Sequence, residues 1–118
     1  MIINLSNHSS AFWQAPQLEA ATVYGEIIDL PFPFVNPEGD EKYIQSLGDE
    51  YVEKIEQLAQ GKNVTVHLMG ELTLTYCLVN ALTAKGIKCI ASTTERIVEE
   101  KDGAKISEFR FKQFRKYK

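Results

Sequence analysis

The sequence predicts a three-layer α/β domain: a Rossmann-like parallel sheet in the order 2-1-3-4, closed at its C-terminal end by an antiparallel hairpin. Three observations carry that prediction. Short apolar runs bounded by turn residues alternate with longer segments whose apolar side chains recur every three or four positions. Strands separated by helices call for right-handed crossovers, which make neighbouring strands parallel. Near the C-terminus the alternation gives way to two extended segments flanking Asp102-Gly103, a strong tight-turn signal.

Met1 to Leu5 reads as a short buried strand that runs into the polar loop Ser6-Asn7-His8-Ser9-Ser10. Pro16 fits the first turn of a helix over about 16–23, where its missing N–H costs nothing. The second strand, Glu26 to Leu30, stops at Pro31-Phe32-Pro33-Phe34, because proline cannot donate to a ladder. Asp40 is the expected N-cap of a long helix with Ile44, Leu47, Tyr51, Ile55 and Leu58 on one face, and Gly61 is expected to end it. Asn63 to Met69 is the third strand. Gly70 opens a helix from Glu71 to Lys85 whose apolar residues wrap most of its circumference, so burial on more than one side is expected. Ile87 to Ala91 is the fourth strand, Ser92-Thr93-Thr94 a loop of hydroxyls, and Arg96 to Glu100 with Lys105 to Arg115 the hairpin.

A chain of 118 residues with 44% hydrophobic and 25% charged side chains suits one globular domain spanning 1–118 and excludes a disordered or fibrous protein. No apolar run approaches the roughly 18 residues that span a bilayer, and no basic region precedes the first strand, so a soluble, cytoplasmic protein without membrane contact is expected. Cys77 and Cys89 fit neither a disulfide framework nor a zinc pattern and read as reduced core residues. Residues 104–118 hold six basic side chains against Glu108 in a chain of net charge −3, so an acidic body ends in a basic segment. That segment suits either phosphate attraction or a solvated edge strand protected against aggregation. Direct DNA binding is not expected.

The order 2-1-3-4 creates a switch point between strands one and three, and open α/β sheets bind ligands beyond the carboxyl ends of their strands at such a point. The exits converging there are Ser6, Asn7, His8, Ser9 and Ser10, then Gly70, Glu71 and Thr73, and finally Ser92, Thr93 and Thr94 with Arg96. No G-x-G-x-x-G and no P-loop lysine is present, which argues against an ordinary dinucleotide enzyme or NTPase. Helix N–H groups after Gly70 favour an anion, while Glu71 suits a ribose hydroxyl or an adenine amino group. Hydroxyls, amides, one imidazole and one guanidinium together suit a phosphodiester with ribose and base to be recognised. Phe12 and Trp13 fit either base stacking or a clamp under the first helix. His67 reads as a hydrogen-bonded core residue, and a zinc site from His8, His67 and Glu71 finds no support in ligand spacing.

Two motifs bring a family into view: Leu5-Ser6-Asn7-His8-Ser9-Ser10, a strand running into a polar loop, and His67-Leu68-Met69-Gly70-Glu71-Leu72-Thr73, a strand running through glycine into an apolar helix. The layout resembles the small single-domain CRISPR-associated Rossmann-like (CARF-like) ring nucleases of type III systems. The resemblance implies binding and degradation of a cyclic oligoadenylate, with cyclic tetra-adenylate as the expected ring, and so an end to antiviral signalling. It implies cleavage without metal or cofactor, the ribose 2′-hydroxyl attacking the adjacent phosphodiester and leaving a 2′,3′-cyclic phosphate. His8 is then the expected proton-transfer group and Arg96 the expected source of positive charge. A ring larger than one small domain encloses, and itself symmetric, suits a two-fold homodimer. Two other readings stand beside it: a non-catalytic sensor or sponge that shares these residues, and a regulatory subunit that docks on a nucleoprotein complex through the basic hairpin Lys105 to Lys118.

Overall fold

Residue-by-residue alternation along the first strand divides the molecule into two unequal faces. The computed structural model describes residues 1–118. Its strands are β1 (Ile2–Ser6), β2 (Ile27–Asp29), β3 (Thr65–Met69), β4 (Lys88–Lys101) and β5 (Ala104–Lys116), and its helices α1 (Ala15–Ala21), α2 (Glu41–Ala59) and α3 (Leu72–Ala84). The sheet order is β2-β1-β3-β4-β5, parallel throughout except for the antiparallel β4–β5 pair. The α/β class, the order 2-1-3-4 and the terminal hairpin are as the sequence predicts.

Ile3, Leu5, Val66, Leu68 and Cys89 meet Tyr51, Val52 and Ile55 of α2 and Leu74, Leu78 and Leu82 of α3 in the larger core. On the opposite face Ile2 and Ile90 pack with Trp13 and Ala21, with Phe114 and Tyr24 at the margin. The seven-residue α1 covers only part of that face. Its short length leaves the remaining side chains of β1, β3 and β4 facing a concavity.

Helix α2 starts as the sequence predicts, and several other elements differ from expectation. The Asp40 carboxylate accepts from the Tyr43 N–H at 2.9 Å, as an N-cap should. The left-handed exit of α2 begins at Gln60 (φ 50°), one residue before Gly61 (φ 74°). Helix α3 is buried along a single stripe: Leu72 is 83% and Tyr76 61% exposed, because no further layer lies outside it. Ser92, Thr93 and Thr94 form no loop. They continue β4 without interruption because β5 lies beside them, Ser92 opposite Phe114 and Thr93 opposite Gln113. Threonine accepts the pleated geometry wherever a partner strand satisfies its backbone.

A bulge at this point shifts the register so that Thr94 faces Phe111, with Lys112 the extra residue. The shift turns Phe111 and Phe114 to the same side, their rings 5.0 Å apart. Asp102 (φ 54°) and Gly103 (φ 78°) close the two-residue turn, both left-handed as a type I′ turn requires. Beyond Thr94 the hairpin extends past the sheet as an arm. The radius of gyration is accordingly 15.8 Å, against about 13.5 Å for a compact chain of this length. No helix is long and apolar enough to cross a membrane.

Candidate functional site

Asp29, Asn4 and His67 stand side by side across β2, β1 and β3, since Asn4 pairs in register with both of the others. The Asn4 amide Nδ2 donates to the His8 carbonyl and to Asp29 Oδ1, each at 2.8 Å. Both partners are pure acceptors, which fixes the amide orientation and leaves Oδ1 as the group facing His67. His67 Nδ1 lies 2.9 Å from that oxygen and must therefore carry the proton. Nε2 is left as an unprotonated acceptor, buried and without a hydrogen-bond partner. An unmet buried acceptor costs about 1–3 kcal/mol. Burial pushes the imidazole from its ordinary 6.5 down to about 4.

The loop after β1 is folded onto this row. Ser10 donates to Asp29 through N (3.0 Å) and Oγ (2.8 Å), and Ser9 Oγ approaches at 3.5 Å. Partial desolvation raises the Asp29 pKa, but the bonds from Asn4, Ser10 and Ser9 outweigh it and hold the carboxyl below its ordinary range. Ser6 Oγ lies 2.8 Å from Asn4 Oδ1 and 3.0 Å from the His8 carbonyl, pinning the turn that presents His8.

Above the row lies a cavity of about 550 Å³ at the carboxyl ends of β1 and β3, against the middle of β4. The expected residues Ser6, Asn7, His8, Gly70, Ser92 and Thr94 line it, together with Phe12 and Trp13. Gln14, Gln17, His67, Met69, Phe109 and Phe111 complete the lining and were not among the expected site residues. Trp13 meets His67 edge-on at 5.3 Å between centroids, and Phe114 stands 5.5 Å from the imidazole on another side. Met69 Sδ accepts from Ser92 Oγ at 3.0 Å, closing the floor between β3 and β4.

The other expected residues serve elsewhere. Ser9 and Ser10 are bound to Asp29. Glu71 caps α3, accepting from the N–H groups of Thr73 (2.8 Å) and Leu74 (3.0 Å) and from the Thr73 hydroxyl. That hydroxyl foremost, then the two N–H groups, holds the Glu71 carboxyl below its ordinary range. The expected anion site is thus occupied by the chain's own carboxylate, and Thr73 is drawn to it. Thr93 hydrogen-bonds the backbone of Gln113. Arg96 lies outside the lining: beside Phe109 in register, it donates to Ser107 further along the arm at 3.1 Å. His8, His67 and Glu71 form no metal-ligating group.

A second concavity of about 640 Å³ lies between α2 and α3, with Asp40, Glu41 and Cys77 in its wall. Asp40 is engaged as a cap there, and the thiol is raised by burial and by Asp49 nearby. It offers no imidazole and no aromatic face. Burial raises the other thiol, Cys89, to about 11; Cys89 is the core residue the sequence suggests, whereas Cys77 is only half-buried, in the wall of the concavity.

The model of the uncharacterized protein MJ1673 family matches residues 1–115, and the chain belongs to that family. No curated protein and no solved structure matches the chain.

Proposed function

We propose that the cavity binds one nucleotide unit of a cyclic oligoadenylate and that the protein cleaves the ring, a ring-nuclease activity that ends a type III CRISPR signal. The observation that carries this reading is the combination in one cavity of aromatic faces from Phe12, Trp13 and Phe109 with the imidazoles of His8 and His67. Aromatic rings stack on any base, and an imidazole nitrogen can accept or donate a proton. Asn7, Gln14, Gln17 and Thr94 supply neutral donors and acceptors for ribose and phosphate.

The reaction asks for few groups. The 2′-oxygen forms a bond to phosphorus as the P–O5′ bond breaks, giving a 2′,3′-cyclic phosphate and a 5′-hydroxyl. Fixing the ribose in line with the leaving oxygen supplies much of the acceleration. His8, exposed at the rim, supplies proton transfer worth about a hundredfold or more. No lysine or arginine lines the cavity, so positive charge at the phosphate comes from Arg96 swinging off Ser107 or from a second copy. A homodimer that brings two such cavities together matches the size and symmetry of the ring.

The test mixes the purified protein, in chelator, with cyclic adenylates of several ring sizes and separates the products. Linear fragments ending in 2′,3′-cyclic phosphate are expected. A ring bound but returned intact would make the protein a sensor or sponge, and no binding of any ring would refute the nucleotide reading. The subunit that docks through its basic hairpin is less favoured, since Lys112 and Arg110 are paired with Glu95 (2.9 Å) and Glu108 (3.4 Å) on the arm itself.

A further inference from the structure

We propose that His67 Nε2 is the acceptor to which the ribose 2′-hydroxyl docks and the base that takes its proton, with Asn4 and Asp29 as positioning residues. The inference rests on the nucleotide reading of the cavity and assigns His67 a role the sequence reading did not give it.

Asn4 Oδ1 can only accept, so the 2.9 Å contact commits the Nδ1 proton and leaves Nε2 free to accept. His67 is 2% exposed, lines the cavity, and Nε2 meets no donor within the protein. A buried acceptor without a partner calls for one from outside. Among the cavity's side chains only the two imidazoles are bases. No carboxylate lines it, because Asp29 is saturated by Asn4, Ser9 and Ser10 and Glu71 by the start of α3. His8 is exposed at the rim, whereas His67 is held by β3 on one side and by Trp13 and Phe114 on others. A nucleophile must be aligned before it attacks, which suits the fixed imidazole.

Proton and electron accounting then closes with these groups. The 2′-hydroxyl proton passes to Nε2 as O2′ bonds to phosphorus, giving an imidazolium that keeps its Nδ1–H on Asn4. The departing O5′ takes a proton from His8 in its protonated form or from water. Proton return from His67 to solvent resets the site. Asp29 stays ionised and acts through Asn4 alone.

The experiment uses the full chain with ¹⁵N-labelled histidine. In the free protein His67 should show an Nδ1–H tautomer with unprotonated Nε2, and Asn4→Ala should mix the tautomers. Adenosine 5′-monophosphate, which has the 2′-hydroxyl and cannot be cleaved, should move the Nε2 resonance, and 2′-deoxyadenosine 5′-monophosphate should not. His67→Phe keeps an aromatic ring against Trp13 and should bind the cyclic ring within about tenfold of the parent while cleaving it at least about a hundredfold more slowly. Cleavage at the parent rate by a folded His67→Phe protein overturns the inference. So do equal Nε2 shifts with the two mononucleotides, a result available from the parent protein even if the variant fails to fold. A ring that is bound and cleaved while His67 stays silent overturns the inference alone, and failure of every adenylate to bind overturns the nucleotide reading with it.

Discussion

Acidification should weaken the fold through one residue before the carboxylates begin to titrate. His67 titrates near 6.5 when the chain is unfolded and at about 4 when it is folded, because burial disfavours the imidazolium. Between those values the unfolded chain binds the extra proton, so stability is complete above pH 6.5 and falls as the pH drops toward 4. Linkage makes the full loss about 3 kcal/mol and the loss at pH 5 about 2 kcal/mol. With a urea slope of about 1–2 kcal/mol/M, the unfolding midpoint should fall by about 1–2 M between pH 7 and pH 5. Asp29, Glu71 and Glu95 are all held below their ordinary values, so their contributions are lost at lower pH and leave this window to His67. His67→Phe removes the titrating group and should show a nearly flat midpoint over the same range. Urea unfolding followed by Trp13 fluorescence and circular dichroism checks both proteins. Parallel pH dependences in parent and variant would refute the assignment of a neutral, buried imidazole.

Three further outcomes are expected. Glu71→Ala should cost about 1 kcal/mol in urea unfolding by freeing the first N–H groups of α3, with adenylate affinity unchanged; a larger loss of affinity than of stability would return Glu71 to the ligand. Gly70→Ala would place a Cβ 2.4 Å from two atoms of the Phe32 ring, and overpacking of that kind costs about 1–3 kcal/mol; an unchanged melting temperature would mean that the ring swings aside freely. Sedimentation should find a dimer, whereas a monomer both free and with ring adenylate would remove the two-fold arrangement.

Sheet order and the larger core were legible because their signals are local and repeated. The apolar runs that seed the strands, the helix periods, Asp40 as a cap and Asp102-Gly103 as a turn each depend on neighbours in sequence. What escaped reading depends on neighbours in space. Ser92-Thr93-Thr94 resembles a loop until β5 is placed beside it, and the apolar surface of α3 resembles a buried one until the absence of an outer layer is seen. Glu71 reads from the sequence as a partner for ribose or adenine, and only the fold shows its carboxylate turned to the N–H groups of Thr73 and Leu74 as the N-cap of α3.

His67 reads from the sequence as a hydrogen-bonded core residue, and the structure agrees: it is 2% exposed, with Nδ1 on Asn4 Oδ1. Within β3 it is one polar residue among apolar ones, and a hydrogen-bonded core histidine is the ordinary outcome. Register changes its meaning. The residues on the α1 face read Ile2, Asn4, Ser6 in β1 and Thr65, His67, Met69 in β3, with Asp29 beside Asn4 in β2, so one polar row, Asp29-Asn4-His67, crosses three neighbouring strands. At those places the opposite face carries Ile3, Leu5, Val66 and Leu68, which shows that the sheet itself tolerates a fully apolar layer. An apolar row in place of Asp29, Asn4 and His67 would avoid the desolvation of the Asn4 amide and the unmet Nε2 acceptor. Stability alone therefore does not account for the row. It lies under the cavity, at the middle of β1 and β3 and the end of β2, and such a departure from local consistency is the pattern that the proposed site would produce.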